Sequence, residues 1–168
     1  MMKILAIDPS SNKIKTSTTG IVLLDNARLV DSWVVSYGMK GFADWFHEVG
    51  NSLEIDTVVI EQFEARDNDK SKDNSVLETI AYIQLCYPDA VIQRNAGYKS
   101  DIPDYLLKVL NLWKFQKSHH QDIRAAARLG LFWAMRNDIE EVVNDIGKVV
   151  SEYKDHAKKM AGRSCQEK

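Results

Sequence analysis

Runs of apolar residues along the first sixty positions predict a sheet that is interrupted by one helix. Residues 4–7 are four consecutive apolar side chains, which is typical of a strand buried on both faces. Residues 18–24 and 29–36 are rich in β-branched residues and predict an antiparallel meander with the first strand. Apolar side chains recur at helical spacing over residues 42–53, and residues 57–60 form the next apolar run. This strand–helix–strand order predicts a parallel pair with a right-handed crossover.

The second half of the chain alternates helical patterns with one short strand. Ser75 and Ser118 each precede a Glu or Gln by three residues, which is the spacing of a capping box at the start of a helix. The predicted elements are a helix from Ser75 to about residue 87, a strand over residues 90–92, a helix from Asp101, an alanine-rich helix from Ser118 and an apolar stripe over residues 139–153. Together they predict a single α/β domain over residues 1–157, followed by a frayed polar tail over residues 158–168.

Composition and charge narrow the class of protein only slightly. The chain has 168 residues, of which 45% are hydrophobic and 27% charged, which is ordinary for a globular domain. A net charge of −2 argues against coating nucleic acid through bulk positive charge, but an acidic metal site would also lower the charge of a nuclease. Cys86 and Cys165 are far apart and suggest no disulfide framework. With no signal-peptide pattern and no long apolar run, we expect a reducing cytoplasm and no membrane partner.

Two of the predicted buried strands end on a carboxylate. Asp8 follows the first strand and precedes Pro9, which holds it in an extended conformation, and Glu61 follows residues 57–60. If these strands are adjacent and parallel, the two side chains emerge side by side at a strand spacing of about 4.8 Å. Carboxylates so close repel unless a proton or a cation lies between them, and Mg²⁺ suits oxygen ligands. The alternative is that Asp8 opens a turn and Glu61 starts a solvated loop.

A third candidate for this chemistry is the start of the alanine-rich helix. His119 and Asp122 are three residues apart in the first turn, so they share a helix face, and the helix N-terminus favours Asp122 as a carboxylate. Asp8, Glu61, Asp122 and His119 would then converge on one or two metal ions, an arrangement that can activate water for phosphodiester hydrolysis. The alternative is that Asp122 is a helix-start charge and that His119 and His120 are surface residues.

These segments together resemble a known family. The motifs are Ile7-Asp-Pro-Ser-Ser, Thr19-Gly-Ile-Val, Val59-Ile-Glu-Gln-Phe63 and His119-x-x-Asp122-x-x-Ala-Ala126, and they resemble the RuvC-type Holliday junction resolvases, the phage-encoded branch in particular, over about residues 3–136. The resemblance implies an RNase H-like fold with a five-stranded mixed sheet flanked by helices, to which this chain adds a C-terminal helix. Ser10, where the family usually has Gly, and the longer loop after it depart from the pattern.

The resemblance also implies an activity and a set of site residues. It implies a homodimer that nicks four-way DNA junctions with Mg²⁺ or Mn²⁺, with two ions at each site. The catalytic residues carried over are Asp8, Glu61, His119 and Asp122. All of them are candidate metal ligands, and His120 is the alternative to His119.

DNA contacts are expected from an aromatic residue and from local basic residues. Phe63 lies just past the second acid, where family members carry an aromatic that contacts junction bases, and stacking of a base on such a ring is physically reasonable. Phosphate contacts are expected from loop residues near the acids: Arg66, Lys70, Lys72 and Lys99, with Lys13, Lys15, Lys114 and Lys117 as further candidates. The alternative for each is a solvated surface side chain.

The leading functional hypothesis is therefore a metal-dependent endonuclease for branched DNA in a bacterial or phage-infected cell. Within the same fold, the alternatives are a nuclease for flaps, forks or RNA–DNA hybrids and a non-catalytic DNA-binding module. An actin-like ATPase lobe also begins with a strand, an Asp and a turn, but such proteins need two lobes, for which this chain is too short.

Overall fold

The first strand lies at the centre of a mixed sheet. In a computed structural model of the protein, residues 1–64, 73–116 and 118–164 are described. In this part of the chain the strands are β1 (Lys3–Asp8), β2 (Thr18–Asp25), β3 (Arg28–Ser36), β4 (Thr57–Glu61) and β5 (Val91–Gln93), in the spatial order β3-β2-β1-β4-β5. β1, β2 and β3 form the predicted antiparallel meander, and β4 and β5 extend the sheet in parallel to β1. The predicted five-stranded mixed sheet is confirmed.

Helices cover both faces of this sheet. They are α1 (Gly38–Glu48), α2 (Val76–Cys86), α3 (Tyr98–Asp101), α4 (Asp104–Val109), α5 (His120–Arg136) and α6 (Glu140–Ser164), with a 3-10 turn at Gly50–Ser52 that interrupts the helix expected over residues 42–53. Successive residues of β1 feed two cores: Ile4 packs with α5, whereas Leu5 and Ile7 pack with α1 and α2. β1 is therefore buried on both faces, as its unbroken apolar run predicts.

The alanine-rich pattern of α5 places that helix close to the sheet. Ala126, Ala127 and Ala134 are fully buried, and a Cβ added at Gly130 would stand 3.0 Å from the Cβ of Ala6. A helix with small side chains at its points of closest contact can lie this near to the strands. The close approach keeps the N-terminus of α5, which carries Asp122, at the edge where β1 and β4 end.

The capping box predicted at Ser75 is wrong. Ser75 is the N-cap of α2 but makes no side-chain cap, because its hydroxyl accepts the Asn12 backbone N–H at 2.9 Å and shares a 3.1 Å hydrogen bond with Ser11. Glu78 instead accepts from the Asn12 side-chain amide at 2.8 Å. Asp73 completes this link, since hydrogen bonds from Ser11 and Ser75 lower the pKa of its carboxyl to about 2. These side chains join the β1–β2 loop to the start of α2.

The chain after α5 differs from the prediction in length. α6 continues to Ser164, past residue 157, so the predicted frayed tail begins as helix. Its apolar stripe packs against α4 and α5: Val142 and Ile146 are buried, whereas Tyr153 is half exposed and meets the ring of Tyr105. Among the described residues, no helix has the length and apolar character to cross a membrane.

Candidate active site

Asp8 and Glu61 meet at the carboxyl edge of the parallel strands. β1 and β4 pair with Ile7 opposite Ile60, so the next residues of the two strands, the two acids, lie side by side. The pKa of Asp8 is raised well above its usual range. Burial of the carboxyl is the largest cause, followed by the charge of Glu61 and a hydrogen bond with it, and then by the charge of Asp122. Two carboxyls this close repel each other unless a proton or a cation lies between them.

Asp122 reaches this pair through β2. Gly20 pairs with Asp8 across the antiparallel ladder, and a Cβ at Gly20 would stand 2.3 Å from the backbone oxygen of Asp122. The Thr18 hydroxyl, two residues earlier, donates a 2.5 Å hydrogen bond to Oδ2 of Asp122. The first turn of α5 therefore packs directly against the backbone of Gly20, and the Thr18 hydroxyl orients the Asp122 carboxylate.

The loop after β5 supplies two residues that the sequence analysis did not identify as site residues. The Asn95 side-chain amide donates to Oε1 of Glu61. Three residues later, at the start of α3, the pKa of the Tyr98 hydroxyl is raised mainly by burial and then by the negative charges of Glu61 and Asp8. A usable signal was present: Asn95 follows a strand parallel to β4, so it emerges at the same edge of the sheet.

The structure distinguishes the two histidines before Asp122. Nδ1 of His120 accepts the Phe115 backbone N–H at 3.0 Å, and the two rings lie 6.1 Å apart. His120 therefore anchors the segment before α5. His119 is exposed and is the N-cap of α5 with a left-handed backbone, φ 60°, so the capping box predicted at Ser118 is wrong. Because the His120 ring is held by this backbone contact, His119 remains the predicted metal ligand.

The three acids fit a hard divalent cation by their chemistry. Asp8, Glu61 and Asp122 offer only oxygen donors, which Mg²⁺ and Mn²⁺ prefer, and a cation would offset the burial and the repulsion that raise the pKa of Asp8. Thr18 contacts one carboxylate oxygen of Asp122, and Asn95 contacts one carboxylate oxygen of Glu61. Neither contact uses the second oxygen of its carboxylate. Within the described ranges, no three His, Cys, Asp or Glu side chains are already arranged to hold a metal ion. Metal ligation by these residues and by His119 stays a prediction.

The predicted DNA-binding residues differ in their surroundings. Phe63 is half-buried and packs against the core that includes Leu5 and Ile7, so part of its ring serves that core. Lys99 is exposed in α3, on the segment that carries Asn95 and Tyr98 to the acids. Three others, Arg66, Lys70 and Lys72, lie outside the described residues, as does Lys117.

Comparison with known proteins supports the fold. No family model matches the chain, and no match is found among curated proteins. Among solved structures, the chain is similar to T. thermophilus RuvC in complex with a Holliday junction substrate, with a TM-score of 0.61 and 16% sequence identity over 84% of this chain and 98% of that chain. The chain thus has the RuvC, RNase H-like fold, as predicted.

Proposed function

We propose that this protein is a divalent-metal-dependent endonuclease that cleaves branched DNA, with the four-way junction as its substrate. The observation that carries the proposal is the meeting of Asp8, Glu61 and Asp122, from three distant segments, at one edge of the sheet, where burial and then the charges of the other two acids raise the pKa of Asp8. Likeness of fold to RuvC bound to a Holliday junction supports the choice of substrate. Action in the cytoplasm as a homodimer, and kinship with the phage-encoded resolvases, belong to the same proposal.

Each residue has a distinct role in this proposal. Asp8, Glu61 and Asp122 would hold Mg²⁺ or Mn²⁺, with His119 as a further ligand. When bound, such an ion lowers the pKa of a water molecule and stabilises the leaving oxygen of the phosphodiester. Asn95 orients Glu61, and Thr18 orients Asp122, so that both carboxylates keep one fixed direction.

The same proposal assigns the DNA contacts. Lys99 is exposed on the segment that carries Asn95 and Tyr98, which suits a phosphate contact, and the uncovered part of the Phe63 ring would meet a base at the junction. Arg66, Lys70 and Lys72 are proposed as further phosphate contacts.

The test is cleavage of a synthetic four-way junction by wild type and by Asp8→Asn in Mg²⁺. We expect Asp8→Asn to lower the rate roughly a thousandfold, because metal stabilisation of charge is worth several kcal/mol and each 1.36 kcal/mol is tenfold in rate. Junction binding in Ca²⁺ or EDTA should stay largely intact. The matched control is Asp89→Asn, an exposed acid just before β5 at the opposite edge of the sheet. Equal cleavage by wild type and Asp8→Asn would refute the metal site.

The preferred substrate is identified by comparing cleavage of four nucleic acids. The wild type is offered the four-way junction, a flap, an RNA–DNA hybrid and a linear duplex of matched sequence. Cleavage of the junction alone is expected. Equal cleavage of the linear duplex would identify a general nuclease, and preference for the hybrid or the flap would assign a different RNase H-like activity.

A further inference from the structure

The segment between α4 and α5 carries a cavity with a cationic and aromatic lining. Its volume is about 460 Å³, and it is lined by Lys108, Asn111, Trp113 and Lys114. The lysines and Asn111 are exposed, whereas Trp113 is half-buried and packs against the core beneath it. We call these four residues the Trp113 pocket. Two of these four described residues carry an ammonium group, one carries an amide and one an indole, so the described lining is cationic although the net charge of the chain is −2.

A third cation stands against the same ring. The Arg124 guanidinium carbon lies 3.9 Å from the ring centroid of Trp113, and Nε of Arg124 donates to the Trp113 backbone oxygen at 2.6 Å. Nζ of Lys108 lies 4.8 Å from the same centroid. The nearby Asp104 carboxylate accepts a 2.5 Å bond from Arg128, so its principal partner is another arginine. Two cations thus lie against the indole, and Lys114 lines the cavity beside it.

The backbone holds this ring in place. Asn111 has a left-handed conformation, φ 58°, which turns the chain after α4, and the next residue, Leu112, is fully buried. On the other side, the Phe115 N–H is bound by His120. The indole is therefore fixed at both ends of its segment, while the two lysines stay on exposed, flexible stems. The Trp113 ring is thus pre-organised for binding, whereas the two lysine side chains can still reorient toward a ligand.

We propose that the Trp113 pocket binds one nucleotide of the DNA strand that enters the acidic site, an inference that rests on the proposed function. Lys108 and Lys114 would contact the phosphate, and the indole and Asn111 would contact the base. Aromatic stacking accepts every base, so this site adds affinity without strong sequence preference. On binding, the ammonium of Lys108 moves from the ring to the phosphate, which frees part of the indole for the base.

The distance between the Trp113 pocket and the acidic site determines which nucleotide the pocket binds. Asp122 contacts Thr18 and Gly20 on the sheet, whereas Arg124, two residues later, contacts Trp113. Residues two apart point to opposite sides of a helix, so the pocket and the acids are separated by about one helix diameter, roughly 10 Å. At about 3.4 Å per nucleotide of one strand, this distance corresponds to about three nucleotides from the cleaved phosphate.

The first experiment measures binding without cleavage. The double variant Lys108→Gln/Lys114→Gln is compared with Lys154→Gln/Lys158→Gln, two exposed lysines of α6 with the same loss of charge. The probe is a labelled single-stranded thymidine oligonucleotide in EDTA over a range of salt concentrations. Loss of two phosphate contacts should raise the dissociation constant about tenfold or more and reduce the slope of log affinity against log salt by about 1.4, and the control pair should keep the wild-type slope. Identical behaviour of the two pairs would refute the pocket.

The second experiment locates the nucleotide. A four-way junction carries 5-iodouracil at one of the first eight positions from the cleaved phosphate, in complex with Asp8→Asn in EDTA, and is irradiated. We expect cross-linking to the Trp113 peptide to peak two to four nucleotides away, and cross-linking only elsewhere would overturn the placement. The oligonucleotide measurement requires no hydrolysis. Failure of the pocket therefore appears as unchanged binding, whereas failure of the proposed function appears as absent cleavage with normal oligonucleotide binding and its normal dependence on Lys108 and Lys114.

Discussion

At the scale of single residues, Asp8 is the group whose environment conflicts most with its charge. Asp8 is half-buried, and burial, the charge of Glu61 and the charge of Asp122 all disfavour the ionised form of its carboxyl. A partly buried acid beside other acids lowers the free energy of unfolding. Such an environment is typical of a site that is completed by a cation, because function requires the charge there.

The raised pKa of Asp8 makes the stability of the protein depend on pH. Because the pKa of Asp8 is raised in the folded protein, the folded state binds more protons than the unfolded state between the ordinary aspartate pKa and the raised value. The contribution of Asp8 to stability is therefore fully present below the ordinary pKa and is lost as the pH rises through the raised one. Asp8→Asn should stabilise the metal-free protein by about 1 kcal/mol at neutral pH, as measured by urea unfolding.

The control for this prediction is the response to metal. Mg²⁺ should raise the melting temperature of the wild type, since a ligand that binds only the folded state stabilises it, and should leave Asp8→Asn nearly unchanged. Asp89→Asn should show the wild-type pH dependence. A destabilised Asp8→Asn protein would mean that the carboxyl makes favourable contacts in the fold rather than serving as a strained ligand.

At the scale of elements, the site depends on how closely α5 approaches β2. Gly20→Ala would bring a methyl group to 2.3 Å from the Asp122 backbone oxygen, so the first turn of α5 must move away from the sheet. We expect a loss of about 1–3 kcal/mol in stability and a loss of junction cleavage, because Asp122 moves away from Asp8. Urea unfolding and cleavage rates measure the two effects.

A matched glycine on α6 provides the comparison. A Cβ at Gly147 would meet nothing within 4 Å, and this residue is exposed in the helix, so Gly147→Ala should gain about 1 kcal/mol from helix propensity and leave cleavage unchanged. Normal cleavage by Gly20→Ala would show that the position of the α5 N-terminus does not control the acidic site.

The elements were predictable where their pattern is local and periodic. The apolar runs of β1 and β4 and the acids that end them can be read directly from the sequence, and the strand–helix–strand order predicts a parallel pair. That β4 pairs with β1 itself is shown by the structure. Ser75 was misassigned because its hydroxyl bonds to Asn12, which is distant in sequence. Asn95 was missed for a related reason: its contact with Glu61 depends on how β5 pairs with β4. Tertiary hydrogen bonds of this kind leave no periodic signal.

At the scale of the whole molecule, α6 divides into a part that belongs to the core and a part that does not. Val142 and Ile146 are buried in the α5 core, and Asp145 binds Arg28 at 3.0 Å, so the first turns of α6 close the domain. From residue 151 to residue 160, by contrast, every side chain is exposed. The helix therefore continues beyond what the core requires.

Two truncations separate these parts. A protein that ends at residue 157 should unfold within about 1 kcal/mol of the full chain, because residues 158–160, the removed residues whose exposure the structure describes, all lie in solvent. A protein that ends at residue 138 lacks Val142 and Ile146 and exposes the core residues that they cover. Its free energy of unfolding should fall by roughly 3–6 kcal/mol, which is comparable to the stability of an ordinary domain. Urea unfolding followed by tryptophan fluorescence distinguishes them: the shorter protein should lack a cooperative transition. If both unfold like the full chain, α6 does not stabilise this fold, and the core must be complete with α5.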